Sequence, residues 1–169
     1  MTEETSRERM ARRMRQQGEA CAQLGSPLYA LLLDRAADDV LAGGPTADVL
    51  AGHEDDPGPS ALALRLLGSV HRLVLERKAP RLAMHYPSAG GTAGSDGVWE
   101  AFREVLAEQG DAVRARLSHA PQTNEVGRSA TLVGGLRVLL AGRDLPMRLF
   151  EIGSSAGLNL RADHFQFRA

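Results

Sequence analysis

Glu151, Gly153, Ser155 and Gly157 stand at alternate positions in Leu149-Phe150-Glu151-Ile152-Gly153-Ser154-Ser155-Ala156-Gly157-Leu158-Asn159-Leu160. The order is a short apolar strand ending in a carboxylate, a turn of small residues, and the start of a helix. That order opens nucleotide- and cofactor-binding α/β folds. Small residues let the backbone lie against a ligand, and the helix N-terminus favours a negative group.

Three chemistries use this local geometry. In a Rossmann-like methyltransferase it binds S-adenosylmethionine, with an acid at the strand end and glycine at alternate turn positions. Glu151, Gly153, Ser155 and Gly157 fill those positions, and Ser155 replaces the central glycine. A dinucleotide site needs G-x-G-x-x-G, which the turn does not provide. A nucleophile elbow needs G-x-S-x-G, which Gly153, Ser155 and Gly157 match. Ser155 would then be a serine hydrolase's nucleophile, with the Ala156 N–H in the oxyanion hole. Asp163 and His164 lie too near Ser155 in sequence to complete a triad. The plainer reading is a tight strand-helix turn with no ligand.

Other polar clusters carry weaker signals. Arg7, Arg9, Arg12, Arg13 and Arg15 could form a phosphate-binding arm, but interspersed Glu8 and Glu19 read as a solvated face. His53-Glu54-Asp55-Asp56-Pro57-Gly58-Pro59 is an acidic, proline-rich linker, and no second cluster has the spacing to complete a metal site. The glycine-rich stretch 87–97 lacks the Gly-Lys-Ser/Thr ending of a phosphate loop and reads as a connector.

Helices must position these groups. Thr5 and Glu8 have capping-box spacing, and Met10, Met14, Gln17, Cys21 and Leu24 follow as a narrow apolar stripe. Ser26-Pro27 starts a second helix, with Leu28, Leu32, Ala36 and Val40 on one face, and Gly43-Gly44-Pro45 ends it. One helical turn is expected over 46–51. Ser60 is expected to cap a further helix. Leu62, Leu66, Leu67, Val70, Leu73 and Val74 form its apolar face, with Arg65, Ser69, Arg72 and Glu76 opposite. Trp99, Phe102, Val105 and Leu106 mark another helix, closed by Gly110, and Asp111 caps a shorter one through Leu117. Thr123 or Asn124 caps the last long helix, which carries Val126, Ala130, Val133, Arg137 and Leu140 on one side. Gly134-Gly135 in its middle either admits another backbone or weakens the helix.

Composition bounds the function classes. The chain has 169 residues, enough for one ordinary core, and is 43% hydrophobic and 24% charged, like a soluble globular protein. A net charge of −1 points to neither nucleic acid nor an anionic membrane. One cysteine, Cys21, rules out an internal disulfide and fits a reducing compartment. The charged residues 1–20 do not read as a signal peptide, and no apolar run is long enough to span a membrane.

Gln122-Thr123-Asn124-Glu125-Val126-Gly127-Arg128, the 149–160 motif and Asp163-His164-Phe165-Gln166-Phe167 resemble a bacterial family, domain of unknown function 2332. Tyr86-Pro87-Ser88, Gly90-Gly91 and Trp99 fit the same pattern. The resemblance is strong from about Arg81 onward. It implies no established activity. It implies a helical first half, a second half like a Rossmann-like methyltransferase, and actinobacterial members about twice this length. It also singles out Gln122, Thr123, Asn124, Glu125 and Arg128 as a polar group near the turn, able to bind a substrate. Thr123 or Asn124 as cap and Glu125 in the first turn equally describe a helix N-terminus. Gln122 and Arg128 have no such account.

The expected fold is therefore mainly α. A helical domain over 1–145 leads into the first strand and turn of a truncated Rossmann-like α/β domain over 146–169. The expected function of the intact protein is S-adenosylmethionine-dependent methyl transfer to a small-molecule substrate in the cytoplasm. Cofactor binding falls to Glu151, Gly153, Ser155 and Gly157, and substrate binding to Gln122, Asn124, Glu125 and Arg128. The serine hydrolase and a non-catalytic interaction module are the alternatives. A lone strand needs partners, so the chain reads as the front of a larger protein that either continues or self-associates.

Overall fold

The computed structural model describes residues 4–119, 121, 127–143, 146–153, 157 and 159–166. The chain divides into two compact units, Met1–Pro121 and Gln122–Ala169. The sequence places the change of architecture after residue 145. The division at Pro121 groups the last long helix with the glycine turn.

In the first unit, α1 (Ser6–Gln23) begins with both halves of the capping box. Glu8 N–H donates to Thr5 Oγ1, and Thr5 N–H donates to Glu8 Oε2 at 2.8 Å. The reciprocal bonds occupy donors that a helix start otherwise leaves open. Met10, Met14 and Cys21 of the stripe are buried, but Leu24 falls at the C-cap and is 85% exposed. α2 (Pro27–Leu41) packs against α1. A Cβ on Gly18 would stand 3.3 Å from the Ala30 carbonyl, so the small residue lets the helices approach. Leu32, Ala36 and Val40 are buried on the expected face.

α3 (Pro45–Leu50) follows a left-handed Gly43. α4 (Leu62–Leu75) buries Leu66, Leu67, Val70, Leu73 and Val74. Burying each leucine or valine of such a face stabilises the fold by ~1.5–3 kcal/mol. Ser60 does not cap this helix. A 3-10 turn over Gly58–Ser60 ends in left-handed Ala61, at φ 53°, which takes the N-cap position. α5 is Pro80–Ala83, and α6 (Val98–Arg114) kinks at Gln109 instead of stopping at Gly110. Phe102, Leu106, Val113 and Leu117 complete the core with Leu82 and Tyr86.

In the second unit, α7 (Gly127–Leu140) ends at Gly142, whose φ of +71° is left-handed. No described heavy atom stands within 4 Å of a Cβ placed on Gly134 or Gly135, so the pair does not admit a close backbone there. The expected strand over Leu149–Ile152 does not form, and no strand occurs among the described residues. A strand is made by its neighbours' hydrogen bonds, and among the described residues none pairs with this segment. Phe150 and Ile152 are accordingly exposed, at 84% and 104%. Asn159–His164 is a 3-10 helix broken at Arg161. The mainly helical class stands, and the described residues carry no Rossmann-like sheet.

Candidate functional site

The carboxylate of Glu151 lies in a short relay within the second unit. Ser129 Oγ, on α7, donates to Asn159 Oδ1 at 2.6 Å, and Asn159 Nδ2 donates to Glu151 Oε1 at 2.6 Å. Glu151 Oε2 is buried and has no hydrogen-bond partner among the described residues. A buried carboxylate oxygen without a donor is costly, and it is a ready acceptor for a cationic N–H group. Gly153 and Gly157 have φ of +73° and +69°. These left-handed values favour glycine and explain both residues without a ligand.

Of the other expected site residues, Ser155, Gln122, Asn124 and Glu125 lie outside the described residues, as does the Arg128 side chain. Asp163 and His164 form an exposed pair at 3.5 Å. Asn159 and Ser129 were not among the expected site residues. The only trace of Asn159 in the sequence is an amide set between Leu158 and Leu160.

A second polar cluster lies in the first unit. His71 on α4 has Nδ1 2.8 Å from the Tyr29 hydroxyl of α2 and Nε2 2.7 Å from Ser88 Oγ. Tyr86 packs its ring 5.0 Å from the imidazole, centroid to centroid. Burial lowers the His71 pKa, which favours the neutral ring, and pushes the Tyr29 phenol up to about 12. Burial raises the Tyr86 phenol as well, and its hydroxyl has no hydrogen-bond partner among the described residues. Ser88 is exposed at the tip of a 3-10 turn, Pro87–Ala89. The turn is held by Ala89 N–H and Gly91 N–H, both donating to the Tyr86 carbonyl. A Cβ on Gly91 would stand 2.3 Å from the Ala83 carbonyl, so that position requires glycine. An open cleft lined by Pro80, Ala83, Met84, Gly91 and Thr92 shares Ala89 with this turn.

Three of the α1 arginines form surface ion pairs. Arg9 pairs with Asp55, Arg12 with Glu4, and Arg15 with Asp38. Arg65, expected on the polar face of α4, is buried. It donates to the Leu117 carbonyl and pairs with Asp56 Oδ2 at 2.7 Å, and Asp56 also accepts from His53 Nδ1 at 2.9 Å. Arg65 and then His53 hold the Asp56 carboxyl below the usual range. The 53–59 segment is thus fastened by side chains, and a cavity of about 250 Å³ lies between it and α1. Among the described residues no three His, Cys, Asp or Glu group to hold a metal ion, and no helix is long and apolar enough to cross a membrane.

Residues 11–169 match the model of a family described as an uncharacterized protein conserved in bacteria (DUF2332). The chain belongs to that family. No curated protein and no solved structure matched the chain. The DUF2332 match spans both units, so it includes both the Glu151 relay and the His71 cluster.

Proposed function

We propose that the intact DUF2332 protein is an S-adenosylmethionine-dependent methyltransferase and that Glu151, Gly153, Ser155 and Gly157 border its cofactor. The observation that carries the reading is the buried Glu151 Oε2, unpartnered among the described residues, with the other oxygen held by Asn159. The methionine end of the cofactor bears an ammonium group, which such an oxygen accepts. The bound cofactor would supply an electrophilic methyl group. Glu151 would orient it, while Gly153 and Gly157 keep side chains away from it. Gln122, Asn124, Glu125 and Arg128 would face the small-molecule substrate. A ribose in a Rossmann-like site is held by a second acid about 20 residues further on, so the test uses a family member that carries such an acid as well as this chain.

Calorimetry with S-adenosylmethionine and S-adenosylhomocysteine is that test. Measurable binding is expected for a protein that carries both acids. Glu151→Gln should weaken it by roughly tenfold or more, the loss of one charge-assisted hydrogen bond. No heat in either protein at millimolar ligand overturns the assignment, and the turn is then structural only.

An interaction module is the second reading, favoured by the exposed Val138, Leu139, Phe150 and Ile152 of the same unit.

A further inference from the structure

Ser88 and His71 have the geometry of a nucleophile and its base. A neutral imidazole has one donor and one acceptor nitrogen. With the proton on Nδ1, His71 donates to the Tyr29 oxygen, and Nε2 accepts the Ser88 hydroxyl proton across 2.7 Å. Tyr29 then orients the ring as the third group of a triad does. Ser88 is exposed on a turn that two N–H groups fasten to Tyr86, while His71 is half-buried behind it. A solvent-facing nucleophile with a shielded, oriented base is the arrangement acyl transfer needs.

We propose that Ser88, His71 and Tyr29 form an esterase site acting on short-chain carboxylic esters, with the acyl group seated in the cleft at Ala83, Met84 and Ala89. Ser88 Oγ attacks the ester carbonyl carbon while its proton passes to His71 Nε2. The tetrahedral intermediate collapses, the carbon–alkoxy bond breaks, and the alcohol leaves with the His71 proton. Water then attacks the acyl-serine, giving a proton to His71. The bond to Ser88 Oγ breaks, Oγ recovers that proton, and the carboxylic acid departs. Ester and water become acid and alcohol, with no metal or redox partner required. This activity is independent of the cofactor turn and places the nucleophile in the other unit.

Fluorophosphonate labelling of the whole chain, followed by peptide mapping, tests it, with hydrolysis of p-nitrophenyl acetate and butyrate as the second readout. Label is expected on Ser88. Ser88→Ala, a small change at an exposed position, should abolish both label and hydrolysis with the melting temperature kept. His71→Asn should slow both by on the order of 10²-fold. Tyr29→Phe should slow labelling by less, because it removes only the orienting bond. Label on Ser155 instead, or no label at millimolar probe on the folded chain, overturns the proposal. Ser88 is then only a fastener of the turn.

Discussion

Single side chains show where burial and charge decide the outcome. Arg65 is 9% exposed and satisfied by Asp56 and the Leu117 carbonyl. Arg65→Ala removes the cation, takes the side-chain donor from that carbonyl, and leaves Asp56 with His53 in place of two cationic partners. The expected loss is about 3 kcal/mol, because breaking a buried pair costs more than the pair contributes, and urea unfolding would measure it. Asp39 is a second case. It is 8% exposed, accepts from Thr46 N–H at 2.8 Å, and pairs with Arg103 at 2.9 Å. Burial alone would raise its pKa, but the Thr46 and Arg103 bonds outweigh it and the pKa is lowered. A carboxylate with a depressed folded pKa stabilises above its unfolded value and loses that contribution as pH falls through the folded one. Thermal stability should therefore drop below about pH 4, the ordinary aspartate range. Asp39→Asn should lose ~2 kcal/mol at neutral pH and show a shallower acid slope. Equal slopes in scanning calorimetry would contradict the assignment.

At the scale of elements, legibility followed how local the cause was. The Thr5–Glu8 box and the buried Leu32, Ala36 and Val40 depend on residues within one helix, and their spacing discloses them. Arg65 looked solvated because its partner carbonyl lies 52 residues away, which periodicity cannot register. Ser60 looked like a cap because its type favours that position. The backbone instead turns through Ala61, and Ser60 Oγ is buried without a partner among the described residues. Ala61 sits in left-handed space that costs a non-glycine residue ~1 kcal/mol or more. Ala61→Gly should thus leave stability unchanged or raise it by up to ~1 kcal/mol, and a clear fall in the melting temperature would refute that strain. The 149–152 segment is apolar enough for a strand, but pairing belongs to partners and not to the segment. Of the candidate site, Glu151 and the two glycines were legible from their spacing. The His71 cluster joins three separate segments and could not be read at all.

For the molecule as a whole, the two units differ in how much apolar surface they bury. The first closes a core from Met10 to Leu117, whereas Val138, Leu139, Phe150, Ile152 and Phe165 of the second are exposed. Exposed large apolar side chains favour association. Sedimentation velocity at tens of micromolar should show self-association, and replacing Phe150 and Ile152 together by serine should shift the population toward monomer. A monodisperse wild-type monomer would contradict this. The central claim, that Glu151 awaits a cationic ligand, is tested most directly by a crystal structure of a DUF2332 member with S-adenosylhomocysteine. The predicted result is the ligand's ammonium within hydrogen-bond distance of the residue equivalent to Glu151, on the oxygen that Asn159 leaves free. Finding that oxygen bonded to a protein N–H, with the ligand absent or elsewhere, would contradict the account.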